Sequence, residues 1–325
     1  MAHSSPFTDA IRARSPESTR PPADDVPDLP GCESFPLTER ELETFDERIE
    51  AWDARTETAW RVRDVSPWHE QPAQRLAMLS ARIASVRGAP IECFGSASLV
   101  RLDAAGRRRQ LLQADNVVYV HPARWKDRGR RVDVDADLLP DVVLEVDHTT
   151  DVRRWKLGKY QEWGFPETWV LVPWKKSVRA PGLTIHVRDA GGAYRQAAES
   201  AAFPGWTAVE IHRALTEEPL SEAVWRALER VGRALGKGDG TTPEDDPLTR
   251  SLLATAERRG EARAKARALA KAVVSALRAR GIDVPADIAS DVDRLAGRSF
   301  ETAMAVAMAC SDAADFRRRI HQAVR

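Results

Sequence analysis

The stretch from Leu139 to Pro173, LPDVVLEVDHTTDVRRWKLGKYQEWGFPETWVLVP, sets the tightest limit on what this chain can become. Read as a β-strand of period two, PDVVLEVD sets Asp141, Val143, Glu145 and Asp147 on one face. Val142, Leu144 and Val146 take the other, which is all hydrocarbon and is expected to be the buried side. Three carboxylates along one strand repel one another, and beside core strands they demand a cation. From Val132 to Asp151 there are seven acids and no lysine or arginine; Arg153, Arg154, Lys156 and Lys159 follow at once. Asp151 to Trp163 reads as a helix closed by Gly164 and Pro166. On a helical wheel, Val152, Trp155, Lys156, Lys159, Tyr160 and Trp163 fall within about 140° of arc. Two lysines therefore share the aromatic face that packs on the sheet. A lysine on a buried side needs an anionic partner, and the acidic strand supplies one.

Carboxylates gathered in this way suit Mg²⁺ or Mn²⁺, which take oxygen ligands. Such a pair of carboxylates, a divalent ion and a lysine is a recurrent device for hydrolysing phosphodiesters. The ion activates water and neutralises charge, and the lysine positions the nucleophile or steadies the phosphate.

The rest of the chain fits an α/β or α+β domain with appendages. The length, 325 residues, exceeds one ordinary domain, and 43% hydrophobic residues are enough for a core, which excludes wholesale disorder. Residues 1–40 read as a disordered leader. From Met1 to Glu47 there are eleven acids and four bases, with Ser15-Pro16 and Pro21-Pro22 near the start. Thr38-x-x-Glu41 is a capping pattern for a short helical turn. Residues 41–220 hold a hairpin-like RIEAWDARTETAWRV, a helix over Pro67 to Val86 and strand-like runs separated by turns. Residues 221–247 read as an amphipathic helix and a linker, GKGDGTTPEDDP. Residues 248–325 read as an all-helical extension that opens with one long helix ended by Gly281 and Pro285. No apolar run approaches the ~20 residues of a membrane span. Cys32, Cys93 and Cys310 form no disulfide or zinc spacing, as expected in a reducing cytoplasm.

The segment also resembles the Uma2 family of restriction-endonuclease-like proteins, within the PD-(D/E)xK nuclease superfamily. The residues that carry the likeness are Pro140-Asp141, Glu145-Val146, Lys156-Leu157, Tyr160, Gly164 and Trp169. A weaker likeness runs over about Arg48 to Leu215 and takes in Trp68-His69, Ala114 to Val117 and Phe203 to Trp206. The resemblance implies a restriction-endonuclease-like mixed sheet flanked by helices, and a Mg²⁺- or Mn²⁺-dependent DNA endonuclease. It implies that Asp141, Glu145 and Lys156 are catalytic and that Asp115, Asp141 and Glu145 hold the metal. Either Asp115 or Asp141 is the principal metal aspartate. In the usual E-x-K order a lysine stands where this chain has Asp147, so the resemblance implies that the lysine has moved to Lys156.

Alternatives stand beside each assignment. Lys156 could snorkel past the tryptophans to solvent, with Lys159 taking its place. Asp147 is a ligand or a solvated neighbour, Glu50 a helper carboxylate or a surface strand residue, and His69 a helix-start residue. The chain as a whole is then an endonuclease or an inactive nuclease-fold protein that binds DNA or builds assemblies. A phosphatase of small phosphates has no motif of its own here. Zero net charge, from 49 basic and 49 acidic residues, excludes a bulk polycation but not a local DNA site. Basic runs over Arg101 to Arg131 and Ser251 to Asp283 could guide a phosphate backbone. Leu252, Leu269, Val273 and Leu277 on the long helix are expected to pair with a second copy in coiled-coil fashion.

Overall fold

A computed structural model describes residues 27–62, 67–122, 131–148, 151–173, 179–284 and 289–324. Most of the expected acidic leader, the basic positions 123–130, Thr149, Thr150 and Pro285 lie outside the described residues. The chain divides into two compact units, residues 27–81 with 91–231 and residues 82–90 with 232–324. Among the described residues, no helix is long and apolar enough to cross a membrane.

The first unit is built on a mixed ten-stranded sheet. It opens with β1 (Cys32–Pro36), α1 (Glu39–Leu42) and the hairpin β2 (Ala51–Asp53) and β3 (Thr58–Val62). Thr38 and Glu41 close the expected capping box on α1: Thr38 N donates to Glu41 Oε2 at 2.9 Å and Glu41 N to Thr38 Oγ1 at 3.3 Å. Helix α2 (Pro67–Arg87) leads to the long strands β4 (Glu92–Leu102) and β5 (Arg108–Tyr119), then β6 (Arg131–Asp133) and β7 (Val142–Val146). Helix α3 (Lys156–Trp163) crosses to β8 (Glu167–Val172), parallel to β7. The meander β9 (Gly182–Arg188) and β10 (Tyr194–Ala197) and helix α4 (Ala208–Thr216) follow. The sheet order is β1-β3-β2-β5-β7-β8-β9-β10, with β4 paired to β5 and β6.

Three readings of the sequence change at this level. Residues 27–40 are not part of a disordered leader, because β1 pairs with β3 and Leu29 and Leu37 are buried. Strand β7 is buried on both faces, not one: Val143, Glu145 and Asp147 are as enclosed as Val142, Leu144 and Val146. A central strand parallel to its neighbour is covered on both sides, so burial does not follow its alternation. The helix expected over Asp151 to Trp163 is divided at Trp155, whose φ of −138° separates a turn at Val152–Arg154 from α3.

One irregularity bears on the site. Leu112, Ala114, Val117 and Tyr119 of β5 all reach the same core cluster, as do Phe94, Ala97 and Leu99 of β4. A regular strand cannot do this, since residues of odd and even number face opposite ways. Side-chain alternation therefore slips by one on both strands at the same level. The ladder omits Ser96 opposite Asp115, and Ser96 takes the left-handed φ of 52°. Such local breaks in a ladder re-aim a side chain.

Helix α5 (Glu222–Asp239), of which residues 232–239 belong to the second unit, runs four residues into the expected linker before Gly240 turns the chain. The reason is close approach to the end of α2. A Cβ on Gly236 would stand 2.7 Å from Thr241 O and 2.8 Å from Arg87 O. On Gly232 it would stand 2.6 Å from Val86 Cβ and 2.9 Å from Ile83 O. Alanine normally stabilises a helix over glycine by about 1 kcal/mol. At Gly232 the sign reverses: Gly232→Ala should destabilise by about 1–3 kcal/mol in urea unfolding, because a packed interface must open. An equal or higher stability would show that this contact yields freely.

Helix α6 (Pro247–Ala279) is capped by Asp246, which accepts from Thr249 N at 3.0 Å. Its C-terminal part packs with α7 (Ala289–Arg298), α8 (Phe300–Ala309) and α9 (Ala313–Val324) around Ala270, Leu295, Phe316 and Ile320. Val273 and Leu277 belong to this core, and Leu269 packs on it, so only Leu252 of the expected pairing stripe is exposed. Asp315 holds Arg319 at 2.9 Å and accepts from Ser311 N at 3.1 Å, which lowers its pKa from 3.8 to about 2. A depressed carboxylate stabilises above its unfolded pKa, and that stability is lost as pH falls through the folded one. Asp315→Asn should therefore flatten the loss of thermal stability between about pH 4 and pH 2; an unchanged acid slope would refute this assignment.

Candidate active site

The sheet register assembles the site. Strand β5 pairs Asn116 with Leu144, which sets Asp115 beside the end of β7, and Val146 N donates to Asp115 Oδ2 at 2.6 Å. On its other flank β5 pairs Leu112 with Ala51, which sets Gln113 beside Glu50. Asp115, Glu145 and Glu50 thus come from three neighbouring stretches of the sheet and all are buried. The first turn of α3 delivers Lys156 between them. Its Nζ donates to Glu50 Oε2 at 2.8 Å, Glu145 Oε2 at 2.9 Å and Gln113 O at 2.9 Å. One turn on, the Tyr160 hydroxyl donates to Glu145 Oε1. The lysine is fully enclosed and does not snorkel.

A second cation enters from the segment before β2. Arg48 Nη2 donates to Asp115 Oδ1, Nη1 to Glu70 Oε1 at 3.2 Å, and Nε lies 3.5 Å from Glu50 Oε1. His69 on α2 approaches the same aspartate, with Nε2 3.4 Å from Asp115 Oδ1 and Nδ1 3.3 Å from Glu70 Oε1. Sequence reasoning did not assign Arg48. The signal was its i, i+2 spacing to Glu50, which turns both to one side of an extended segment.

The electrostatics follow from three carboxylates against two cations in a dry setting. Burial alone would raise the Asp115 pKa, but His69, Arg48 and Lys156 outweigh it and hold the carboxyl below its usual range. At Glu145 burial dominates the pull of Lys156 and pushes the pKa up. Burial would lower Lys156, yet Glu145, Glu50 and Asp115 hold its proton above the ordinary lysine range. Among the described residues, the buried carboxylates Glu50, Asp115 and Glu145 outnumber the fixed charges of Arg48 and Lys156, and burial marks Glu145 as the member that takes up a proton.

The remaining candidates lie apart. Asp141 stands four residues before Glu145, about 13 Å along the strand. Its N donates to Val118 O at 2.9 Å and its Oδ2 accepts from Val120 N at 2.6 Å. The expected grouping of Asp141 with Glu145 therefore does not form, and Asp115 is the aspartate beside Glu145. Alternation fixes a shared face but not proximity along it. Asp147 is buried against Arg179, with Arg153 Nε 3.9 Å away, and burial raises its pKa to about 7. Lys159 turns away to Glu162 at 2.8 Å, with its ammonium 5.6 Å from the centre of the Trp155 ring.

The donor chemistry of Glu50, Asp115 and Glu145, all hard oxygens with a deficit of positive charge, fits Mg²⁺ or Mn²⁺. Among the described residues, however, no group of three or more His, Cys, Asp or Glu side chains stands in metal-holding geometry. Arg48 and Lys156 lie between the carboxylates instead.

The model of the Uma2 family, described as a putative restriction endonuclease, matches residues 39–210. That span contains every residue of this cluster. No curated protein matches the chain.

Proposed function

From the premise that this chain belongs to the Uma2 family, we propose that it is a metal-dependent endonuclease that hydrolyses DNA phosphodiester bonds. The observation that supports this reading best is the buried lysine held between Glu50 and Glu145, with Asp115 alongside. Asp115 and Glu145 would hold Mg²⁺ or Mn²⁺, with Glu50 as a further carboxylate. A bound divalent ion supplies an activated water and neutralises charge on the phosphate. Lys156, held by Glu50, Glu145 and the Gln113 carbonyl, would set a positive charge beside the carboxylates of the ion, where it steadies charge developing on phosphate. Val146 N fixes Asp115, and the Tyr160 hydroxyl fixes Glu145. Helix α3 and the paired strands β5 and β7 carry this arrangement on rigid elements, which catalysis by positioning requires.

The test is supercoiled plasmid incubated with the purified protein and Mg²⁺ or Mn²⁺. Glu145→Gln and Asp115→Asn should each lower cleavage by about 100-fold or more, on the scale of removing one preorganised charge contact. Asp141→Ala should cleave like the parent, because its carboxylate serves the backbone of Val120. Retained cleavage in Glu145→Gln would overturn the assignment. A second reading, a nuclease fold that binds DNA without cutting it, is favoured by the way side-chain cations already span the carboxylates. DNA binding without cleavage by every variant would support it.

A further inference from the structure

We propose that Arg48 is a built-in cation that competes with the divalent ion for Asp115, so that the metal enters by exchange with a guanidinium. The inference rests on the reading of this cluster as a metal centre. Of the two cations in the cluster, only one is placed to leave. Lys156 has no exposed side-chain surface and is held by three acceptors. Arg48 keeps 21% of its side chain exposed and sits outside any helix or strand.

Its partners are arranged for an exchange. The guanidinium spans from Asp115, whose side chain is 1% exposed, to Glu70 on α2, whose side chain is 40% exposed. The inner end of this contact is the carboxylate that the ion requires, and the outer end is a carboxylate at the rim. When Asp115 releases Arg48, Glu70 keeps hold of it, so the arginine does not have to be solvated alone. Arginine suits this part because its planar fork bonds two carboxylates at once, which a lysine cannot do in the same geometry. The exchange also improves the charge balance: a 2+ ion in place of a 1+ guanidinium meets the excess of carboxylate. The contact of His69 Nε2 with Asp115 keeps the aspartate oriented while the cations trade places.

The experiment measures Mn²⁺ binding to the full-length protein without DNA, by titration calorimetry and by the loss of the free Mn²⁺ paramagnetic signal. Arg48→Gln should bind Mn²⁺ about 10-fold more tightly than the parent, and Arg48→Lys should fall between them. Circular dichroism and the Mn²⁺-induced rise in melting temperature are recorded for each protein, and Arg48→Lys preserves the charge should Arg48→Gln fold poorly. Equal or weaker binding by both Arg48 variants would overturn the exchange. The metal centre itself would still stand if the parent binds Mn²⁺ and Glu145→Gln does not. No Mn²⁺ binding by the parent or either Arg48 variant would overturn both readings.

Discussion

Lys156→Met is expected to destabilise the protein by about 3–5 kcal/mol at pH 7.5, the scale for breaking a buried ion pair by removing one partner. The methionine fills similar volume, so little of the loss comes from a cavity. What remains is two enclosed carboxylates, Glu50 and Glu145, and the main-chain carbonyl of Gln113, all of which have lost their bond from the ammonium. The loss should shrink at lower pH. The Glu145 pKa, already raised by burial, rises further once the lowering pull of Lys156 is gone, so folding takes up a proton and stability recovers as pH falls. Urea unfolding at pH 7.5 and pH 5 checks both parts. A difference under 1 kcal/mol at pH 7.5 would show that the cluster accommodates its carboxylates without the lysine. The double variant Lys156→Met/Glu145→Gln should lose less than the sum of the single changes, since the second removes a charge that the first strands.

Glu167→Ala should cost about 3–5 kcal/mol, although this residue lies away from the cluster. Its carboxylate accepts from Trp169 Nε1 at 2.5 Å, Ala201 N at 2.8 Å and Ala202 N at 3.0 Å, and it is 1% exposed. These bonds tie β8 to the turn that carries Phe203 and Trp206. The Phe203 ring centre lies 5.8 Å from that of Trp169, and that of Trp206 lies 5.7 Å away. Alanine leaves three buried donors without an acceptor, each costing about 1–3 kcal/mol before relaxation, and opens space beside the aromatic group. Glu167→Gln keeps one carbonyl oxygen for the two backbone donors and should lose clearly less. Equal losses in the two variants, measured by chemical unfolding, would assign the effect to packing rather than to the acceptor.

Much of this arrangement was legible in the sequence, and for identifiable reasons. The helix carrying Lys156 declares itself by lysines set among tryptophans, a pattern that makes sense only against acids. Glu145 declares itself by a charge inside a hydrocarbon strand. Other parts depend on contacts between distant segments, which no local period encodes. Asp115 and Glu145 meet because Asn116 pairs with Leu144, and nothing within either strand specifies that register. The same limit explains Asp141, which shares a face with Glu145 yet belongs to the far end of the strand. The short strands β6 and β10 have too few residues to show a period and exist because a neighbour offers them hydrogen bonds. At Gly236 composition points to a linker, because glycine reads as flexibility in a sequence, whereas here it permits two backbones to touch.

The slip in alternation at Ser96 and Asp115 makes the address of the aspartate unusually strict. On a regular strand, a carboxylate moved by two residues stays on its side of the sheet and is merely displaced. At the joint this freedom is gone. Two positions later, Val117 lies in the hydrocarbon cluster, as Ala114 does one position earlier. One position later, Asn116 is committed to Cys93, with Nδ2 3.4 Å from Sγ. Only residue 115 looks both to the arginine and histidine on one flank and to the amide of Val146 on the other. Transplanting the carboxylate to a neighbouring position would not restore what its removal takes away.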